Sequence, residues 1–230
     1  MSNLPAVMPT DAYLAEIQAI FREKGRPERA QGQMRYMRNQ FDFFGLANPE
    51  MQAVSRDFIR GHGIPEGGEL WALARACFDC AEREMQYFAI FVLERVAKQQ
   101  PDDFILLLEE LITTKSWWDT VDWLAKLVGM HFRKFPGQVL PVTSRWMASG
   151  NIWLQRVCLI FQLSYRDKTD FELMKKYILE LADSREFFLQ KGAGWALRQY
   201  ARTDPQGVKS FIEQHPELPA LTRREGLKRR

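Results

Sequence analysis

The sequence predicts an all-α protein, an α-solenoid built from two-helix repeats, and three observations lead there. Apolar residues recur three and four apart, as in DDFILLLEELITT and FELMKKYILELADS, while alternating strand-like runs are scarce. Breaks in the pattern fall at a regular interval: Pro101, Pro136, Asp170 and Pro205 are separated by 35, 34 and 35 residues. A different set of residues shows the same interval. MQYFAIFVLERVAKQQP (85–101), LQRVCLIFQLSYRDKTD (154–170) and LQKGAGWALRQYARTDP (189–205) begin and end alike, with Gln155 and Gln190 35 apart and Gln86 and Gln155 69 apart. KSWWDTVDWLAKLVGMHFRKFP supplies the missing copy. Repeats of this length bury their apolar faces only against neighbouring repeats, so the expected array is curved and has a concave side.

Taken in order, residues of about 10–64, with motifs such as MRYMRNQFDFFG, lack repeat identity and read as an atypical N-terminal helical part. PEGGEL (65–70) breaks the chain, and the repeats occupy about 65–230, giving one elongated domain over 1–230. A hydrophobic fraction of 46% supplies a core and excludes a disordered chain. Lys and Arg number 32 against 29 Asp and Glu, so a basic surface requires the signs to be separated in space, as the terminal LTRREGLKRR begins to do. Three cysteines do not form a disulfide framework and point to a reducing compartment. CFDC has no second pair, and His62, His131 and His215 lack ligand spacing, so neither metal nor cofactor is expected. No signal-like start or membrane-length apolar run is present, and the expectation is a soluble, cytoplasmic monomer.

The densest chemistry lies in KSWWDTVDW (115–123). Ser116 to Asp119 matches a helix-capping box, with Ser116 capping and Asp119 in the first turn, where the helix dipole favours negative charge. Asp122 has no such explanation. It lies four residues after Trp118, so the two share a helix face, whereas Trp117 is rotated about 100° away. The repeat places Trp153 35 residues after Trp118 and Phe188 35 after that, while Arg156 and Lys191 are also 35 apart. Trp118, Asp122, Arg156 and Trp195 are therefore expected to converge on the concave face, with aromatic rings and cations around one acid.

KSWWDTVDW, NIWLQR (151–156) and EFFLQKGAGWALRQYA (186–201) resemble, in collinear order from about MRYMRNQFDFFG to LTRREGLK, the AlkD-like DNA glycosylases, a DNA alkylation repair family of HEAT-like repeats. The resemblance implies hydrolysis of the N-glycosidic bond of N3- and N7-alkylated purines in duplex DNA, held along the concave face without base flipping and without a cofactor. It puts the catalytic aspartate at Asp122, the sugar-contacting tryptophans at Trp118 and Trp195, a DNA-contacting arginine at Arg156 and a tyrosine near the DNA at Tyr36. Where the family often has Gln, this chain has Ala47, which bears on lesion preference or rate. Lys191, Arg198, Arg223, Arg224 and Lys228 are candidate phosphate contacts by position and charge. Two other readings compete, a DNA-binding solenoid without catalysis and a protein scaffold, since a helical array does not settle function. A binding-only relative has no need of an acid at Asp122, and a scaffold would show apolar patches instead of clustered arginine and tryptophan.

Overall fold

The computed structural model describes residues 8–228, which contain thirteen α-helices and, among the described residues, no strand beyond an isolated bridge between Asp42 and Glu82. The helices are α1 (Thr10–Lys24), α2 (Pro27–Tyr36), α3 (Asn48–His62), α4 (Gly67–Asp79), α5 (Arg83–Val96), α6 (Phe104–Thr113) and α7 (Trp118–Lys134), followed by α8 (Val139–Ala148), α9 (Ile152–Ile160), α10 (Phe171–Glu180), α11 (Phe187–Tyr200), α12 (Pro205–Gln214) and α13 (Ala220–Gly226). Among the described residues no helix is long and apolar enough to cross a membrane. The chain forms two compact units, Met1–Gln99 and Gln100–Arg230.

In the first unit, Tyr13, Ile17 and Phe21 recur every fourth residue along α1 and are buried, the spacing that presents one apolar stripe. Their partners include Phe58 of α3 and Phe88 of α5, with Tyr13 and Phe58 edge to face at 4.8 Å. The segment between α2 and α3 is irregular but held. Gly45 has φ of +95°, and a Cβ there would lie 2.1 Å from the Arg26 carbonyl oxygen. Glu84, buried at the start of α5, accepts the backbone N–H groups of Phe44, Gly45 and Leu46 at 2.8 to 3.1 Å. Three consecutive donors on one carboxylate replace the water that burial removes.

The second unit is four helix pairs, α6–α7, α8–α9, α10–α11 and α12–α13. First helices start at 104, 139, 171 and 205, second helices at 118, 152, 187 and 220, so the expected period appears as steps of 32 to 35 residues. The sequence breaks coincide with these starts. Pro136 opens a 3-10 turn ahead of α8, Asp170 caps α10 by accepting the Leu173 N–H at 2.9 Å, and Pro205 is the first residue of α12 behind the Asp204 cap. Second helices pack on one another in a row, α7 on α9, α9 on α11 and α11 on α13. Polar bonds also join residues about one repeat apart: Tyr165 Oη donates to the Gly129 carbonyl at 2.7 Å, and the Thr143 and Tyr177 hydroxyls meet at 2.5 Å.

Close approach of α7 to the end of α9 depends on Gly129, where a Cβ would stand 2.3 Å from the Phe161 carbonyl oxygen, a backbone atom that cannot swing aside. Gly129→Ala is predicted to destabilise the protein by about 1 to 3 kcal/mol through overpacking. Gly32, in α2 with nothing within 4 Å of its would-be Cβ, should instead gain about 0.5 to 1 kcal/mol on change to Ala. Urea unfolding of the two variants beside the parent checks both signs; equal effects would show that the α7–α9 contact is not tight.

Candidate active site

Helix α7 does not begin as its sequence predicts. Its N-cap is Trp117, in an extended conformation with no side-chain capping bond, and the helix starts at Trp118. The Ser116 hydroxyl donates instead to the Ile112 carbonyl at 2.6 Å. The expected cap at Ser116 is thus corrected, and the reason is local: only a short link separates α6 from α7, and the last carbonyls of α6 lack helical partners and lie within reach of a serine one turn on. Asp119 does occupy the first turn of α7. Asp122 sits one turn deeper, on the face it shares with Trp118.

Arg156 reaches Asp122 from α9. Its Nε donates to Oδ1 at 2.7 Å and its Nη2 to Oδ2 at 2.8 Å, a bidentate pair that fixes the plane of the carboxylate. The Arg156 side chain is 5% exposed and that of Asp122 is 18% exposed, so the pair is largely buried while the Asp122 side chain keeps some contact with solvent. The arginine is held in turn. Its Nη1 donates to the Phe188 carbonyl at the start of α11, and its guanidinium stands 5.9 Å from the Phe188 ring. Asn151 fixes the start of α9 by accepting the N–H groups of Trp153 and Leu154 at 2.9 and 3.3 Å, which sets the rotation of Arg156 toward α7. Gly192, one turn beyond Phe188, leaves space for the guanidinium: a Cβ there would lie 3.1 Å from Nη1.

Three rings gather where α7, α9 and α11 begin. Trp117, Trp153 and Phe188 stand with centroids 5.0 to 5.7 Å apart in tilted and edge-to-face arrangements, geometries that suit aromatic quadrupoles. Trp117 thus packs with Trp153 and Phe188, the two rings that the 35-residue register counts from Trp118. The Trp117 indole N–H is buried without a hydrogen-bond partner among the described residues. Trp118 is half-buried on the Asp122 face of α7, and Trp195 is half-buried on α11, seven residues after Phe188.

The remaining predicted residues separate into several environments. Lys191 and Arg198 both pair with Glu225 of α13, Lys191 at 2.8 Å, and the Glu225 side chain is only 8% exposed. Lys191 first, and Arg198 with it, hold the Glu225 pKa down to about 2 against the effect of burial. Arg223 donates from Nε to the Leu218 carbonyl at 3.0 Å, while Arg224 and Lys228 are exposed. Tyr36 ends α2 in the first unit and is 70% exposed, and Ala47 is the N-cap of α3. Sequence reasoning missed the role of the Phe188 carbonyl, the space at Gly192 and the pairing at Glu225. A backbone acceptor leaves no mark on residue type, and Glu225 lies within a run that reads as a basic tail.

The profile of a family described as DNA alkylation repair enzyme matches residues 17–229. A solved structure described as a predicted DNA alkylation repair enzyme from Enterococcus faecalis is similar to the chain, with a TM-score of 0.82 and 33% identity over 89% of this chain and 95% of that one. No curated protein sequence matches the chain.

Burial is the largest influence on Asp122 and raises its pKa above the ordinary aspartate value; the Arg156 hydrogen bonds and charge oppose it, and Asp119 adds to the rise. The Asp122 carboxyl should therefore titrate above the usual aspartate range. Arg156→Met removes the main opposing influence, so its midpoint should move further up. Carbon-13 NMR titration of the side-chain carboxyl measures both midpoints. A midpoint that stays put or falls in Arg156→Met would mean the pair does not govern the charge of Asp122.

Proposed function

The chain belongs to the family of DNA alkylation repair enzymes, and on that premise we propose that it is a DNA N-glycosylase acting on N3- and N7-alkylated purines in duplex DNA. The observation that carries this reading is a carboxylate, Asp122, clamped in one plane by Arg156 in a largely buried pair whose acid side keeps some contact with solvent. Glycosidases ordinarily need two carboxylates, one of them to protonate the leaving group. An alkylated purine already bears a positive charge, so it departs as a neutral base with the electron pair of the N-glycosidic bond, and no acid is required.

The demand then falls on the sugar, which turns cationic at C1′ as the bond breaks. Asp122 stabilises that charge and orients the water that adds to C1′, taking or relaying the proton the water loses. Trp118 and Trp195 offer ring faces to the same cation, each worth about 0.5 to 2 kcal/mol. Arg156 acts through Asp122: it is almost wholly buried and is committed to both carboxylate oxygens and to the Phe188 carbonyl, which leaves two of its N–H groups outside these bonds. A chemistry aimed at the deoxyribose does not require extrusion of the base, so the duplex stays stacked and bulky cationic adducts are admitted as well.

Asp122→Asn keeps the size and much of the hydrogen bonding of the side chain while removing its charge. Release of 7-methylguanine from a lesion-bearing duplex, followed under single-turnover conditions, should slow roughly 10²- to 10⁴-fold with duplex binding retained. In the parent the rate should hold constant at neutral pH and fall as pH drops through the raised pKa of Asp122, because only the carboxylate serves. Wild-type release by Asp122→Asn would remove Asp122 from the reaction, and binding with no release by the parent would favour a DNA-binding repair protein without glycosylase activity.

A further inference from the structure

Helix α13 closes the row of second helices, and it lies tight against α11. A Cβ at Gly194 would stand 2.6 Å from the Glu225 Cβ and 2.9 Å from the Thr222 carbonyl oxygen, while the Thr222 hydroxyl donates to the Gln190 carbonyl at 3.0 Å. Glu225 therefore lies directly over the residue that precedes Trp195. From there its two carboxylate oxygens divide: Oε1 meets Lys191 Nζ at 2.8 Å, and Oε2 accepts from Arg198 Nη1.

Lys191 and Arg198 are the residues four before and three after Trp195 on α11. Going round the helix from Gly194, Arg198 is met at about 40°, Lys191 at about 60° and Trp195 at about 100°. The two cations thus occupy the strip between the residue under Glu225 and the indole, one a turn before it and the other a turn after. Long stems of Lys and Arg cover apolar surface beside them. The stems cannot wander, because a buried carboxylate that lost a charged partner would be left uncompensated. A half-buried indole keeps one orientation when the side chains around it are themselves locked. Helix α11 then carries two devices at once: the Phe188 carbonyl holds Arg156, and the Lys191–Glu225–Arg198 pairs flank Trp195.

We propose that Glu225 is a positioning residue for the reaction: through Lys191 and Arg198 it fixes the orientation of the Trp195 indole, and the two cations serve this brace in place of phosphate contacts. The inference rests on the reading above, in which Trp195 offers its ring face to the sugar cation. Glu225 itself touches neither sugar nor base. Its effect is on how well the ring faces the charge that develops at C1′, so it bears on the rate of release and not on the hold on the duplex.

Parent, Glu225→Gln, Trp195→Ala and the double variant are compared for single-turnover release of 7-methylguanine, for affinity to undamaged duplex across a salt series, and for the Trp195 indole N–H resonance, assigned by its loss in Trp195→Ala; thermal melting confirms folding. Glu225→Gln should slow release about 2- to 30-fold, the range that one ring's interaction with a cation commands. It should not weaken binding of undamaged duplex, and it should displace or broaden the indole resonance. Its effect on release should vanish in the Trp195→Ala background, as expected of coupled residues, whereas a general loss of α11–α13 packing would cost as much there as in the parent. Arg198→Gln cuts one arm only and takes the place of Glu225→Gln if that variant does not fold; the same pattern should appear to a smaller degree. Equal slowing in both backgrounds, or a parent-like rate and resonance in a folded variant, would overturn the brace. So would a shallower salt slope in Arg198→Gln at an unchanged rate, the mark of a lost phosphate contact. A displaced indole resonance in Glu225→Gln, with no alkylated base released by the parent, would keep the brace and sink the glycosylase reading.

Discussion

The two hydrogen bonds from Arg156 to Asp122 are the constraint on which the rest of the site depends. Taking two charges out of water costs several kcal/mol per ion, and the cost is recovered only when geometry is good and the remaining donors are satisfied. The geometry is good, and three of the five guanidinium N–H groups are engaged. The pair is bidentate, and the third engaged nitrogen of the guanidinium meets the Phe188 carbonyl. The Asp122 side chain is left neither fully solvated nor sealed: partial burial strengthens its field toward any positive charge brought beside it, and the arginine limits how far burial can push it toward the neutral form.

That pair is also a product of the repeat. Asp122 and Arg156 are 34 residues apart, and so are Thr143 and Tyr177, whose hydroxyls join first helices of successive pairs. The Tyr165 hydroxyl and the Gly129 carbonyl, 36 apart, bridge α7 to the segment that follows α9. A solenoid brings side chains one period apart face to face, and most such meetings simply hold the stack together. The Asp122–Arg156 contact uses the same geometry with charged partners. Trp117, Trp153 and Phe188, stacked where the same helices begin, fix the spacing of α7, α9 and α11 and with it the reach of Arg156.

Much of this was legible in the sequence because periodicity survives in residue types. Pro101, Pro136, Asp170 and Pro205 mark helix-pair starts because a missing N–H or a capping carboxylate acts locally. Asp122 and Arg156 were recognisable as neighbours because equivalent helices stand side by side. The start of α7 was misread, since Ser116 had a competing acceptor in the last turn of α6 that only the length of the link reveals. Lys191 and Arg198 read in the sequence as candidate phosphate contacts, yet a buried Glu225 in α13 pairs with both; such long-range pairing leaves no periodic trace. The division of the chain at Gln99 likewise depends on which faces pack: α4 and α5 join α1 and α3, although α5 carries repeat-like residues.

The central claim is that the Asp122 charge is aimed at a sugar becoming positive. Its most direct test is the affinity of parent and Asp122→Asn for duplexes carrying either a cationic aza-sugar or a neutral tetrahydrofuran in place of the deoxyribose. The account predicts that the parent binds the cationic sugar at least roughly tenfold tighter, as expected for a transition-state mimic, and that Asp122→Asn binds the two alike. An equal preference for the cation in both proteins would contradict it.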